Sequence, residues 1–269
     1  MTPSELYQAG QLTAAIDAGL ADVKKHPTDT ARRGLLCELL CFAGAWERAD
    51  KQLDTIGQQE PLAIPRISLL RQLIRAELAR QQFFTEGRLP EFLGEPTPVL
   101  RLQLQASIAL RENNSAEAAA LLAQAEALRV PPRGECDGQP FEGFRDLDDL
   151  SASFFEVLTS TGKYYWIPIE TVEFAEFRPP ERPRDLLWRP THMVVTDGPD
   201  GEVFLPTIYP LTFANGDDQL RLGRGTDWRG QEGEPVRGVG LRMFLVGDQE
   251  KTILELKEFR GAAASDPVV

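Results

Sequence analysis

The chain is poor in the residues that bind metals and close disulfides: it has three cysteines and two histidines among 269 residues. Cys37, Cys41 and Cys136 are too few for a disulfide framework and fit a reducing compartment. His26 and His192 each lack a nearby cysteine or second histidine at ligand spacing, so no metal site and no cofactor is expected. Cys37 and Cys41 stand four apart on the apolar side of a predicted helix, the spacing of two core residues that face the same way. No apolar run approaches the roughly 20 residues of a membrane span. No basic-then-apolar segment opens the chain, so export by the general route is not expected, and a cytoplasmic location is.

Familiar catalytic motifs are missing too. Gly162-Lys163 has the lysine of a phosphate-binding loop but neither the upstream glycine nor the following Ser/Thr. Arg237-Gly238-Val239-Gly240 begins a predicted strand, whereas a dinucleotide fingerprint follows one. No Gly-x-Ser-x-Gly elbow occurs. Asp197–Asp200 reads as a hairpin turn, and Asp217-Asp218 as a solvated pair rather than a cation site. The expectation is a protein that is not an enzyme, although abundant carboxylates leave a buried catalytic pair open. Positive charge is also scarce. Residues 1–135 hold 15 basic and 17 acidic side chains, and residues 136–269 hold 14 and 24, together giving the net charge of −12. So acidic a second half argues against a nucleic-acid partner.

What is present begins with a repeat. Ala9-Gly10, Ala15 and Pro27 recur 34 residues on as Ala43-Gly44, Ala49 and Pro61, and Leu6 recurs as Leu40. A fainter copy follows at an offset of 70 from the second, with Asn114 for Gly44, Ala119 for Ala49 and Pro131 for Pro61. A period of about 34 residues is that of tetratricopeptide (TPR) helix pairs, which usually hold partner peptides. Leu35, Leu36, Leu39, Leu40 and Phe42 give residues 31–42 one apolar face, with Thr28, Asp29 and Thr30 as candidate N-caps and Gly44 to end the helix. Further helices are predicted over 46–57, 66–84, 98–112 and 115–129. The first copy is short, because few residues precede Gly10.

Helical periodicity stops near Val130, and Pro131-Pro132-Arg133-Gly134 with Asp137-Gly138 marks a boundary. Beyond it, Phe154–Leu158 and Lys163–Ile167 read as a hairpin, and Leu186–Thr196 with Glu202–Leu205 as another. Val172–Phe177 fits a strand or a short helix. Gly240–Val246 and Thr252–Phe259 flank a turn at 247–250. The expected fold is therefore α+β in two domains. A TPR-like helical domain (1–131) is followed by a linker (132–142), a mainly antiparallel β domain with short helices (143–260) and a disordered tail (261–269). Tyr164, Tyr165, Trp166, Trp188, Tyr209, Trp228 and Phe244 make the second half rich in aromatics, which serve either as core or as interface anchors.

Several blocks of sequence resemble the ImpE/TagJ family of bacterial type VI secretion accessory proteins. In the first half these are His26-Pro-Thr-Asp-Thr30, Cys37-Glu-Leu-Leu-Cys-Phe-Ala-Gly44 and Trp46-Glu-Arg-Ala-Asp-Lys-Gln-Leu-Asp54. In the second half they are Pro183-Arg-Asp-Leu-Leu-Trp-Arg-Pro190, Asp197-Gly-Pro-Asp-Gly-Glu-Val-Phe-Leu-Pro206, Arg221-Leu-Gly-Arg224 with Thr226-Asp-Trp228, and Pro235-Val-Arg-Gly-Val-Gly240 leading to Phe244-Leu-Val-Gly-Asp248. The order of blocks is kept over roughly residues 5–258. The resemblance implies a cytoplasmic, non-enzymatic adaptor that binds the N-terminal segment of the small contractile-sheath subunit, TssB, and is linked to the ClpV ATPase. It supplies no catalytic or cofactor residue.

On helix-pair geometry the first helix of a pair lines the concave face, which nominates Glu38, Cys41 and Phe42 as partner-binding residues, with Trp166 and Trp228 from the β half. Core packing is the competing reading for each. Two other readings stand beside the adaptor: a β domain that is an enzyme or small-molecule sensor with the helices as docking arm, and a self-complementary homodimer.

Overall fold

A computed structural model describes residues 1–262 of the chain. Its first half is helical: α1 (Pro3–Gln8), α2 (Leu12–Lys25), α3 (Thr30–Phe42), α4 (Trp46–Gln59), α5 (Ile64–Glu86), α6 (Pro98–Arg111) and α7 (Ser115–Leu128). The repeat is visible in the boundaries. α2 and α4 begin and end 34 residues apart, as do the ends of α1 and α3. Gly10 (φ 77°) and Gly44 (φ 70°) make the left-handed turn inside each pair, a conformation that costs a residue with a Cβ roughly 1–2 kcal/mol. Asp29 alone caps α3, accepting from the amides of Ala31 and Arg32, both at 3.1 Å.

The third copy is displaced by one residue from the sequence reading. Asn113, not Asn114, takes the left-handed turn (φ 59°). Asn114 instead caps α7, accepting from Glu117 N at 3.3 Å. Ala118, not Ala119, is the small residue buried where the helices meet. Asparagine tolerates the left-handed region almost as glycine does, so either of two adjacent asparagines fits the pattern.

The second half is antiparallel β: β1 (Arg133–Cys136), β2 (Gln139–Glu142), β3 (Phe144–Asp146), β4 (Phe154–Leu158), β5 (Tyr164–Pro168), β6 (Val172–Phe177), β7 (Trp188–Val195), β8 (Asp200–Pro206), β9 (Thr226–Arg229), β10 (Arg237–Gly240), β11 (Met243–Val246), β12 (Gln249–Thr252) and β13 (Glu258–Gly261). Two short helices, α8 (Thr212–Asn215) and α9 (Asp218–Arg221), interrupt it. The main sheet runs β2-β1-β13-β6-β7-β8-β4-β5, with separate sheets β12-β11-β3 and β10-β9.

The structure corrects some expectations and decides one that was open. The stretch 132–142 is no linker but the β1–β2 hairpin at one sheet edge. Of the two readings open for Val172–Phe177, the strand is the one observed. The last hairpin closes more tightly than expected: Gln249 pairs with Val246 across Gly247-Asp248, and β13 leaves that hairpin to lie between β1 and β6. Gly261, placed in the tail by sequence, pairs with Gly134, and residues 263–269 lie outside the described residues.

Strand alternation gives the main sheet two apolar faces. Phe154, Leu158, Tyr164, Trp166, Trp188 and Phe204 pack into the core of the helices. Phe155, Val157, Ile167, Met193, Val195 and Leu205 point the other way, onto Phe144, Phe244 and Phe259. The helical half and the sheet thus share one core. The β5 edge is covered at one point, where Glu91 in the α5–α6 loop donates to Tyr164 O at 2.8 Å and accepts from Trp166 N at 3.2 Å.

Candidate functional site

The inner face of the helix pairs is occupied by the chain's own second half. Trp46 of α4 sits 6.0 Å from Trp188 and 5.2 Å from Phe213, ring centroid to centroid. Phe213 also packs on Gly44, where an added Cβ would lie 3.2 Å from its ring. Asp218, expected in solvent, instead binds Thr13 N and Oγ1, both at 2.9 Å. Arg224 donates to the carbonyls of Gln8 (2.8 Å) and Tyr7 (2.5 Å), which caps the end of α1.

This packing decides where the nominated partner residues lie. Cys41 (1% exposed), Phe42 (0%) and Trp166 (1%) are in the core and have no surface to offer. The physical reason is that the concave face, which would be open in an isolated array, is here an internal boundary. Glu38 is half-buried on α3. Burial raises its carboxyl above the usual range, with Arg184, Arg182 and Arg66 opposing. Trp228 keeps 38% of its surface exposed on β9 and lies 5.9 Å from Tyr209. The structure brings Cys41 and Phe42 together in one core, and places Trp228 apart from them on the β9–β10 hairpin.

Where helices meet sheet lies a closed cluster of charged side chains that the sequence reading did not single out. Arg80 on α5 grips Glu156 on β4 with two hydrogen bonds, Nε–Oε1 at 2.9 Å and Nη2–Oε2 at 2.8 Å. It also donates to Glu77 Oε1 at 2.9 Å and to Ile208 O at 3.0 Å. Glu156 accepts from Arg242 and from Tyr164 Oη, the latter at 2.5 Å. Arg242 reaches Asp146 Oδ2 at 2.6 Å, and Tyr209 Oη donates to Asp146 Oδ1 at 2.7 Å. Trp188 Nε1 binds Glu77 Oε2 at 3.0 Å, and Trp166 Nε1 binds Tyr164 Oη at 2.6 Å. All these groups are buried.

The electrostatics follow from burial and pairing. Burial pushes Glu156 up, but Arg80 and Arg242 outweigh it and hold the carboxyl at about 2. For Asp146 burial wins: despite Arg242 the carboxyl rises to about 6, with nearby Asp148 adding to the rise. Burial lowers Arg80, yet Glu156 and Glu77 outweigh it, so its guanidinium is held above the ordinary value. Displaced ionisation of this kind often marks chemistry. Here the groups are paired with one another, with Arg242 Nε left as a buried donor without a hydrogen-bond partner, and what they do is tie α5 to β4 and β11's flank. One clue was legible: Glu77 and Arg80 lie one helical turn apart on a face otherwise made of Leu70, Leu73, Ile74 and Phe83.

Among the surface grooves, two bear on partner binding. One, of about 410 Å³, lies on the outer face of the main sheet between Val157, Tyr165, Ile167, Met193, Val195 and the half-exposed Leu93. The other, of about 590 Å³, runs between the start of α1, the C-terminal half of α2 and the N-terminal half of α3. Among the described residues no group of three or more His, Cys, Asp or Glu is placed to hold a metal ion. His192 pairs instead with Asp200 at 3.1 Å. No described helix is long and apolar enough to cross a membrane.

Together these features define a class: helix pairs closed on their inner side by an antiparallel sheet and joined to it by a buried ionic cluster. Residues 138–260 match the model of the family described as ImpE protein. The type VI secretion system accessory component TagJ of Pseudomonas aeruginosa is 31% identical over 258 residues, covering 96% of this chain and 90% of that protein. A crystal structure of a Vibrio parahaemolyticus protein has the same fold, with a TM-score of 0.91 and 27% identity over 98% of both chains. The chain belongs to the ImpE/TagJ family.

Proposed function

We propose that this protein is a non-enzymatic accessory component of a bacterial type VI secretion system. On this reading it acts in the cytoplasm and captures the N-terminal segment of the small contractile-sheath subunit TssB. That capture links it to ClpV-dependent recycling of the sheath. The observation that carries the reading is the near full-length likeness to TagJ, a type VI secretion system accessory component. The helix pairs support it as a degenerate TPR-like array, since such pairs present grooves to peptides. The interior of the β half is filled by Trp166, Trp188, Tyr209 and Phe244, which weighs against the sensor or enzyme reading.

The test uses the full chain and purified sheath subunit. Intact subunit co-purifies with the chain, and subunit lacking its N-terminal segment does not. Undiminished co-purification of the truncated subunit contradicts peptide capture.

A further inference from the structure

The first helix of the first pair is shorter than its counterpart in the second. α3 is 13 residues long and α1 only 6, although their C-terminal ends coincide after the 34-residue shift. The shortening is encoded, because three features stop α1 at its start. Pro3 stands at the first helical position, Thr2 Oγ1 accepts from Glu5 N at 3.2 Å, and Glu5 Oε2 accepts from Thr2 N at 2.8 Å. This is a complete capping box, which sets a helix boundary.

In the second copy the N-terminal half of α3 lies along the C-terminal half of α4. Arg33 Nη1 binds Gln52 Oε1 at 2.6 Å and Thr30 Oγ1 binds Glu60 Oε2 at 2.8 Å, while Leu53 and Ile56 are buried. Shifted back by 34 residues, Gln52, Leu53, Thr55, Ile56 and Gln59 become Ala18, Gly19, Ala21, Asp22 and Lys25. These five line the groove of about 590 Å³, with Leu35 and Leu36 of α3 as its opposite wall. The groove is thus the position that two more turns of α1 would fill.

We infer that this vacant helix position receives an amphipathic helix of about two turns from a partner protein, laid in line with α1 and antiparallel to α2. The site commits to features of its occupant. The floor is small side chains, Ala18, Gly19 and Ala21, so the helix approaches closely and brings the larger apolar residues itself. Where the second copy has Gln59 and Glu60, the first has Lys25 and His26, and Lys24 precedes them. That end of the groove meets the first turn of the incoming helix, where carboxylates are favoured by the helix dipole. An acidic first turn followed by an apolar stripe is the complementary chemistry. Asp22 adds no free charge, since Arg32 holds it through Nη1 at 2.5 and 2.6 Å.

This inference rests on the peptide-capture reading and locates its site, and the experiment separates the two. Full-length chain carrying Ala18→Trp or Ala21→Arg is titrated with the sheath subunit, intact and lacking its N-terminal segment. Both substituted side chains lie at the groove and outside the core. A third variant, Leu93→Arg, probes the sheet-face groove. The expected result is binding weakened at least about tenfold by either groove variant, unchanged melting, and wild-type binding by Leu93→Arg. Wild-type binding by both groove variants, with binding still dependent on the segment, overturns the site and leaves the capture reading standing. Failure of the wild-type chain to bind intact subunit overturns both. Concentration-dependent dimerisation abolished by Ala21→Arg makes the occupant a second copy and overturns the partner-helix assignment.

Discussion

Arg80 is the residue on which the junction turns. Removing it leaves Glu77 and Glu156 buried without their shared cation, a loss that costs about 3–5 kcal/mol. Arg80→Met therefore lowers the urea midpoint substantially, whereas Trp228→Ala, at a half-exposed hairpin residue, shifts it little. The two displaced carboxyls give opposite pH slopes. Glu156, held at about 2, contributes stability that is complete above its ordinary value of 4.5 and lost as pH falls toward 2. Asp146, raised from 3.8 to about 6, binds its proton more tightly in the folded state, so it adds stability as pH falls from about 6 toward 3.8. Denaturant midpoints of wild type and Asp146→Asn, compared between pH 7 and pH 4, should differ in slope, with the wild type gaining more on acidification. Equal slopes would remove Asp146 as the titrating group. Beyond the Glu77–Arg80 pair on the apolar face of α5, this cluster is not legible from sequence, because its other charged members come from β3, β4 and the β10–β11 connection, and only the fold makes them neighbours.

At the scale of elements, local chemistry and period made the helices readable. α4, α6 and α7 fall within a residue or two of the sequence reading; Thr97 and Asn114 cap α6 and α7, while α4 has no side-chain cap and is marked by its place in the repeat. Replacing Asp29 with Ala removes the acceptor for two orphan amides of α3 and should cost about 1 kcal/mol, seen as a lowered melting temperature. Gly44→Ala should cost more than the cap, because the new Cβ meets both a left-handed backbone and the Phe213 ring; a melting temperature equal to wild type would contradict this. The strands were harder to place. β4 was read to the residue, with Phe and Val on both faces, but β12 and β13 were merged into one. A short strand that changes sheets carries no period long enough to show the break.

At the scale of the whole molecule, the repeat is easily over-read. A 34-residue period suggests an open concave surface, and on that basis Cys41 and Phe42 looked available. The sheet fills that surface, and nothing within residues 31–42 could have shown it, because core and groove residues have the same apolar pattern. Among the surfaces the chain keeps open are the end of the array, at the start of α1, and one patch of the outer sheet face. The proposed function at this scale rests on capture of the sheath subunit. The most direct measurement is a competition titration, in which a synthetic peptide of the sheath subunit's N-terminal segment is added to the preformed complex of full chain and intact subunit. Complete displacement with single-site stoichiometry is the predicted result. A complex that persists at saturating peptide would contradict the account.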